Sequence, residues 1–162
     1  MFTEPEAFPT EKRALYAALM PLAAGLLHGE RDRVANAANL AALLWSALPE
    51  CNWIGFYFLK DGELVVGPFQ GKPACVRIAL GKGVCGTAAA TRVTQRVADV
   101  HAFPGHIACD AASRAELVVP LVRPDGTLLG VLDLDSPQPA RFEAEDQAGI
   151  ERLAALFVAG VD

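Results

Sequence analysis

The segment NWIGFYFLKDGELVVGPF, residues 52–69, decides the fold. Two apolar runs rich in aromatic and β-branched residues flank the dipeptide Asp61-Gly62. Such runs favour strands, and an Asp-Gly pair between two of them is a strong hairpin signal. The segment therefore predicts an antiparallel β-hairpin.

Further strands are predicted on the C-terminal side of this hairpin. Their apolar runs span residues 75–80, where Val76, Ile78 and Leu80 alternate against Arg77, and residues 95–100, 116–122 and 127–135. A Pro-Asp-Gly turn at 124–126 joins the last two runs and predicts a second hairpin.

Helical patterns surround the strands. Residues 11–30 are rich in Ala and Leu, with Thr10 as the expected N-cap and Pro21 as the position of a kink or break. Further helices are predicted at about 32–48, at 81–92 and at 142–158. The expected core faces are Val34, Ala37, Ala38, Ala41, Leu44 and Trp45 in the second helix, and Ile150, Leu153, Leu156 and Phe157 in the last.

The order of these elements predicts an α+β fold with a mostly antiparallel sheet and helices covering one face. A length of 162 residues is typical of a single domain, here residues 1–162. Residues 1–9 are polar and contain two prolines, so we expect an extended arm there.

Composition excludes several classes of function. The net charge is −5 and the basic residues are scattered, which disfavours binding to nucleic acids or membrane surfaces. No apolar run reaches the ~18 residues of a membrane span, and the N-terminal residues lack the pattern of a signal peptide. We therefore expect a cytoplasmic protein, in which thiols stay reduced and disulfides are usually catalytic.

Three of the four cysteines lie near two histidines, in the order Cys75, Cys85, His101, His106 and Cys109. Structural zinc sites usually take ligands from close pairs such as Cys-x2-4-Cys, and only His106 and Cys109 approach that spacing. The sequence thus disfavours a metal site. The histidines remain candidates for tuning a thiol, anchoring a loop or lying on the surface.

Redox chemistry is the alternative for these thiols. Cys109 lies in a long loop, expected at 101–114, and loops of that length are usually functional or disordered. Cys85 lies at the start of the predicted short helix, where unpaired N–H groups favour a thiolate. Free cysteines are also often inert and buried, which is the interpretation we favour for Cys51.

Three carboxylates interrupt apolar strand sequences: Glu116, Asp133 and Asp135. Asp133 and Asp135 are two residues apart and so point to the same face of one strand. In an apolar pocket they would repel, and at least one pKa would rise, as a general acid requires. Alternatively they line the solvent side of an edge strand. Trp53 and Tyr57 also share a face, either as core residues or as one wall of a small binding site.

These motifs resemble a known family. The segments NWIGFYF, GPFQGKPACVRI, GKGVCGTAAA, QRVADVHAFPGHIACD, ELVVPL and LGVLDLDS closely resemble the free methionine-(R)-sulfoxide reductases, which are stand-alone GAF-domain proteins. The resemblance covers most of residues 52–157. It implies a GAF-like central antiparallel sheet with the N-terminal and C-terminal helices packed together on one face.

The resemblance also implies an oxidoreductase activity and a role for each matching residue. Cys109 matches the nucleophile, and Cys75 and Cys85 match the cysteines of which one or both resolve the intermediate. Glu116, Asp133 and Asp135 match carboxylates that bind substrate and assist proton transfer, while Trp53 and Tyr57 match aromatic residues of the pocket. No bound cofactor or metal is implied, since reducing equivalents would come from thioredoxin and indirectly from NADPH.

The chemistry fits these residue types. A sulfoxide becomes electrophilic at sulfur when its oxygen is protonated, so a thiolate needs a neighbouring acid. The resulting sulfenic acid condenses with a second thiol to a disulfide, which an external thiol reductant reopens. The alternative function is a non-catalytic GAF module that senses a small molecule or redox state. A homodimer is also expected from apolar residues on the first helices.

Overall fold

The computed structural model of this protein describes residues 5–105 and 111–162. Six strands form one antiparallel sheet in the order β3-β2-β1-β6-β5-β4. The strands are β1 (Trp53–Lys60), β2 (Glu63–Gly71), β3 (Arg77–Ala79), β4 (Gln95–Val97), β5 (Ala115–Val122) and β6 (Leu128–Ser136), and the helices are α1 (Lys12–Leu27), α2 (Arg33–Ala47), α3 (Gly83–Thr91) and α4 (Ala144–Gly160).

The hairpin predicted from residues 52–69 is confirmed. Asp61 and Gly62 join β1 to β2, and both adopt positive φ angles, 51° and 85°. A two-residue turn of this kind matches the right-handed twist of the flanking strands. The second predicted hairpin is also confirmed, as β5 pairs with β6.

One face of the sheet holds the main core. Helices α1, α2 and α4 pack there against apolar side chains of β1, β5 and β6, among them the fully buried Phe56, Leu117 and Leu132. This confirms the predicted packing of the N-terminal and C-terminal helices on one face. Helix α3 lies instead on the opposite face, where a smaller apolar cluster surrounds it. The general expectation that helices cover one face therefore holds for three of the four.

Helix α1 begins and continues differently from the prediction. Its N-cap is Glu11 rather than Thr10, since the Glu11 carboxylate accepts hydrogen bonds from the N–H groups of Arg13 and Ala14. The helix is not split at Pro21. Pro21 and Ala17 lie on the exposed side of α1, where water can satisfy the carbonyl that proline leaves unpaired.

The predicted core face of α2 is partly wrong. Ala37, Ala41 and Leu44 are buried as expected, but Val34 is 54 % exposed, Trp45 is 39 % exposed, and Ala38 also faces solvent. The buried stripe runs through the residues that face β1 and β2, namely Ala37, Leu40, Ala41, Leu43, Leu44 and Ala47.

Two predicted strands are shorter in the structure. β3 is confined to Arg77–Ala79, so that Ile78 is buried whereas Val76 and Leu80 are exposed. β4 ends at Val97, and Val100 begins a short 3-10 turn that ends at Ala102. In α4, Ile150, Leu153 and Phe157 are buried and Leu156 is half-buried. Across the described ranges, no helix is long and apolar enough to cross a membrane.

Candidate active site

Strand register gathers the predicted site residues on the α3 face of the sheet. Trp53 of β1 pairs with Asp135 of β6, and Gly55 pairs with Asp133. Glu116 of β5 lies on the other side of Asp135. Because paired residues point to the same face and side chains alternate along a strand, all of these side chains face α3. Trp53 and Asp135, which are 82 positions apart in sequence, thereby meet in one place.

A cavity of about 580 Å³, including its open mouth, lies between this face and α3. The sheet contributes Trp53, Tyr57, Glu116, Asp133 and Asp135, and α3 contributes Cys85, while the segment after β2 and the start of α3 add Lys72, Pro73, Ala74 and Lys82. The two lysines and Ser113 also line the cavity, although no sequence motif indicated them.

The apolar wall of the cavity is a stack of aromatic rings. Trp53 stacks on Tyr57 with ring centroids 5.7 Å apart and on Phe69 at 5.2 Å. Gly55 lies beneath this stack, and a Cβ atom there would come within 2.7 Å of the Trp53 ring. The two β1 aromatics are buried and also line the cavity, so the two interpretations from sequence, core and pocket wall, both hold.

The same two aromatics hold the segment 72–76, which joins β2 to β3. The indole N–H of Trp53 donates to the carbonyl oxygen of Lys72 at 3.2 Å. The hydroxyl of Tyr57 donates to the carbonyl oxygen of Cys75 at 3.0 Å. At the end of the segment, the N–H of Val66 donates to the carbonyl oxygen of Val76. Cys75 is half-buried and disulfide-bonded.

The same cavity contains a buried cluster of one thiol and two carboxyl groups. Sγ of Cys85 lies 3.9 Å from Oε1 of Glu116, and Asp133 completes a group whose atoms lie within 4.8 Å of one another. Glu116 is 6 % exposed and Asp133 is 5 % exposed. Helix α3 can approach because Gly86 has no Cβ, which would lie 2.4 Å from the carbonyl oxygen of Ala79.

Burial and mutual repulsion raise the pKa values of the groups in this cluster. Burial raises the pKa of Asp133 to about 7, although the Cys85 thiol opposes the shift. Burial, then the charges of Asp133 and Asp135, raise the pKa of Glu116 well above its usual range. Oδ1 of Asp133 is buried and accepts no hydrogen bond from residues 5–105 or 111–162. The cluster is therefore suited to receive a donor or a cation.

The expected thiolate at Cys85 is contradicted. Burial raises the pKa of this thiol well above its ordinary value, and the charges of Asp133 and Glu116 act in the same direction. Cys85 does lie in the first turn of α3, as predicted. The helix N-terminus contributes only a fraction of a charge, which desolvation and two nearby carboxyl groups outweigh.

Asp135 does not lie on an edge strand. β6 lies between β1 and β5, so the alternative of a solvent-facing edge is wrong, and Asp135 is half-buried at the cavity. Leu132 and Leu134 point to the opposite face, where they are fully buried in the main core. The predicted common orientation of Asp133 and Asp135 thus holds.

The remaining candidates lie elsewhere. His106 and Cys109 fall outside the described residues, as does part of the loop predicted at 101–114. His101 is exposed at the 3-10 turn, and its N–H donates to Oδ1 of Asp99. Cys51 is a free thiol packed against the main core, and burial raises its pKa to about 12, in keeping with an inert residue.

The side chains that could hold a metal ion differ from the cysteines and histidines whose sequence spacing was considered for zinc. Cys85, Glu116 and Asp133 each offer one ligand atom to a common point, and a divalent cation accepts such a mixture of sulfur and oxygen. Of the zinc candidates within the described residues, Cys85 belongs to this set, whereas His101 does not.

A small-molecule-binding α+β domain is the class of protein that this sheet and its acidic, aromatic-walled cavity define. The GAF domain family model matches residues 32–162. A protein from Escherichia coli named free methionine-R-sulfoxide reductase is 52 % identical over 144 residues, which cover 89 % of this chain and 87 % of that protein. The chain therefore belongs to the GAF-domain family and, within it, to the free methionine-R-sulfoxide reductases.

Solved structures agree with this membership. Free methionine-R-sulfoxide reductase from Neisseria meningitidis, in complex with its substrate, is 42 % identical and superposes with a TM-score of 0.93, covering 99 % of this chain and 95 % of that one. A protein from Burkholderia vietnamiensis described as a GAF sensor is 63 % identical, with a TM-score of 0.91 and coverage of 94 % and 96 %. The resemblance found in the sequence is confirmed.

Proposed function

We propose that this protein reduces free L-methionine-(R)-sulfoxide to methionine. The observation that carries the proposal is the buried acidic cluster of Glu116 and Asp133 in the same cavity as the stacked ring of Trp53. A free amino acid with a methyl sulfoxide has an ammonium group for the acids and a methyl group for the aromatic wall. The Neisseria relative is described as bound to its substrate.

The two buried carboxyl groups take different roles. Asp133 has a pKa of about 7 and a buried oxygen with no hydrogen-bond partner among the described residues, and it ionises when the substrate ammonium approaches, with Asp135 beside it. Burial and the charges of Asp133 and Asp135 raise the pKa of Glu116 well above its usual range, which favours the protonated carboxyl. That proton is available to the sulfoxide oxygen, which makes the sulfur electrophilic.

The redox steps take place on cysteine sulfur. The thiol of Cys109 takes the oxygen from the sulfoxide, so that methionine gains two electrons and Cys109 becomes a sulfenic acid. A second thiol then condenses with the sulfenic acid, forming a disulfide and releasing water. A thioredoxin-type dithiol reduces this disulfide by thiol–disulfide exchange, drawing on NADPH through its own reductase and requiring no bound cofactor.

Cys75 is the better candidate for the second thiol. It is half-buried, disulfide-bonded and placed on the irregular segment 72–76, whereas Cys85 is a free, buried thiol with a raised pKa. Attack on a sulfenic acid favours an accessible thiolate, which burial beside two carboxyl groups disfavours at Cys85. Cys85 remains the alternative that the experiment below compares.

The coupled assay with thioredoxin, thioredoxin reductase and NADPH tests this function. We expect NADPH loss with the (R) epimer of free methionine sulfoxide and little with the (S) epimer. Cys109→Ser should abolish turnover. Cys51→Ser should not, because Cys51 packs against the main core on the face of the sheet away from the cavity. Cys75→Ser and Cys85→Ser should each be tested for the formation of one equivalent of methionine per protein with no further turnover. Full turnover of Cys109→Ser would refute the assignment of the nucleophile.

A non-catalytic sensor is the second candidate, favoured by the description of the Burkholderia relative as a GAF sensor. This reading predicts tight binding of free methionine sulfoxide, measured by calorimetry, with no methionine formed by the fully reduced protein. Formation of one equivalent of methionine per protein would exclude it.

A homodimer in the reducing cytoplasm is the assembly that we propose for the enzyme. Val34 and Trp45 of α2 are both exposed and lie eleven residues, about three turns, apart on the same side of the helix. Light scattering should give twice the chain mass, and replacement of both residues by Ser should give monomers. A monomeric native protein would contradict the proposal.

A further inference from the structure

Tyr57 contacts both the wall of the cavity and the segment that carries Cys75. Its ring stacks on Trp53 and lines the cavity. Its hydroxyl donates a hydrogen bond to the backbone carbonyl oxygen of Cys75, and the two oxygen atoms are 3.0 Å apart. A pocket residue is thus connected directly to the main chain of a redox cysteine. The side chain is only 2 % exposed, so water does not compete for this hydrogen bond.

The segment that carries Cys75 depends on a few such contacts. Residues 72–76 have no regular secondary structure, and Gly71 before them has a φ of 125°. Trp53 anchors the start of the segment through the carbonyl of Lys72, and β2 anchors its end through the carbonyl of Val76. Tyr57 supplies the anchor at Cys75 itself.

We propose that Tyr57 is a positioning residue for the resolving step: its hydroxyl holds the backbone of Cys75 so that the thiol can react with the sulfenic acid of Cys109. The inference rests on the proposed function. In the step that Tyr57 assists, the Cys75 thiol forms a sulfur–sulfur bond with the sulfenic sulfur, and the sulfenic oxygen leaves as water.

The chemistry of a phenol suits this role. Burial, followed by the charges of Asp133 and Cys85, raises the pKa of Tyr57 above its usual value, so the hydroxyl remains a donor at neutral pH. Asp135 and Glu116 act on Tyr57 in the same direction. Burial and the ionisable groups around Tyr57 therefore favour the protonated hydroxyl that donates the hydrogen bond to Cys75.

A single-turnover experiment on the reduced full-length protein tests the inference. The protein is mixed with one equivalent of the (R)-sulfoxide without reductant, and quenched samples are analysed for methionine and for sulfenic acid trapped by dimedone. The quantity compared is the rate of sulfenic acid loss divided by the rate of methionine formation, so that any effect of the ring on the first step is divided out.

We expect Tyr57→Phe, which keeps the ring, to lower this ratio about two- to tenfold, the effect of losing one buried neutral hydrogen bond. Cys75→Ser should leave the sulfenic acid unresolved. Tyr16→Phe is the matched control, because it removes the hydroxyl of the other tyrosine, which binds Asp146 on the opposite face, and should leave the ratio at the native value. Trp53→Phe, which loses the anchor at Lys72, should also lower the ratio.

The outcomes separate the two proposals. If the native protein forms no methionine, the proposed function fails. If it forms methionine and the ratio for Tyr57→Phe equals the native ratio, the inference is overturned while the function stands. Should Tyr57→Phe fail to fold, Trp53→Phe decides the matter by the same criterion, since it removes the neighbouring anchor of the same segment.

Discussion

Sγ of Cys85 lies 3.9 Å from Oε1 of Glu116, and both side chains are almost completely removed from solvent. Asp133 lies within 4.8 Å of both groups. Three acidic groups so close together cannot all ionise in a desolvated pocket, because each charge raises the pKa of the others. The acidic groups of the cavity therefore tend to be protonated, and a bound cation would stabilise their ionised forms.

Replacement of Glu116 by Gln tests whether one of these protons is used in the reaction. The amide keeps the shape of the side chain but cannot transfer a proton, so we expect kcat to fall by roughly 10²- to 10⁴-fold, the usual contribution of a general acid. The melting temperature should change little, because the amide is neutral like the protonated carboxyl that the raised pKa of Glu116 favours. Full kcat and KM in this variant would contradict the acid role, and Glu145→Gln on α4 provides the control.

The raised pKa of Asp133 predicts a particular dependence of stability on pH. Folding raises this pKa from 3.8 to about 7, so the stabilisation from Asp133 is complete below the unfolded value and is lost as the pH rises through 7. Asp133→Asn should therefore be more stable than the native protein at pH 8, by at most about 4 kcal/mol, since one pKa unit corresponds to about 1.4 kcal/mol. The advantage should disappear near pH 4.

Thermal unfolding of the two proteins between pH 4 and pH 8 measures this effect. The same variant should lose binding of the substrate ammonium, so that kcat/KM falls while stability rises. The native kcat/KM should itself decline as the pH drops below about 7 and Asp133 becomes protonated. A variant that is less stable than the native protein at pH 8 would show that Asp133 is held as a stabilised carboxylate instead.

Local patterns sufficed for the strands and for part of the site. The Asp61-Gly62 turn fixed the first hairpin, and the two-residue period of a strand placed Asp133 and Asp135 on one face and Leu132 on the other. Alternation is a property of every strand, so such predictions need no knowledge of distant residues. The resemblance to a family then supplied the fold and the identity of the reaction.

Features that depend on distant packing were not predictable. Cys85 loses its expected thiolate character because α3 packs against β5 and β6, contacts between residues about 30 to 50 positions apart. Val34 and Trp45 lie on the apolar side of α2 by period, yet an Ala-rich helix leaves its buried stripe poorly defined until the sheet covers it. The anchoring of Cys75 by Tyr57 joins a side chain to a backbone atom and leaves no pattern in the sequence.

Asp146 should be a stabilising residue with no part in the reaction. It is buried on the helical face, where it accepts hydrogen bonds from the hydroxyl of Tyr16 and the N–H of Glu143 and pairs with Lys12 and Arg141. Burial alone would raise its pKa, but these hydrogen bonds and the charge of Lys12 hold it below the usual value.

We therefore expect Asp146→Asn to lose about 2–3 kcal/mol of unfolding free energy, the typical effect of hydrogen bonds to a charged group. Because the folded pKa is lowered, the stabilisation is present at neutral pH and is lost as the pH falls through the folded value. Urea unfolding at pH 7 and at lower pH measures the difference. KM for the sulfoxide should not change, and an altered KM would indicate coupling between the two faces of the sheet.

The aromatic wall depends on the absence of a side chain at position 55. A Cβ atom on Gly55 would lie 2.3 Å from Cβ of Phe69 and 2.7 Å from the ring of Trp53, closer than real atoms approach. Gly55→Ala must therefore displace one or both rings, at a cost of about 1–3 kcal/mol for overpacking.

We expect this variant to show a raised KM for the sulfoxide and faster loss of NADPH-linked activity on heating, because Trp53 both lines the cavity and anchors Lys72. Gly25→Ala in α1 is the matched control, since no described atom beyond its chain neighbours and the nearby backbone of its own helix lies within 4 Å of the added Cβ, and alanine should stabilise that helix by about 0.5–1 kcal/mol. Equal KM values for Gly55→Ala and the native protein would show that the stacked rings do not contact the substrate.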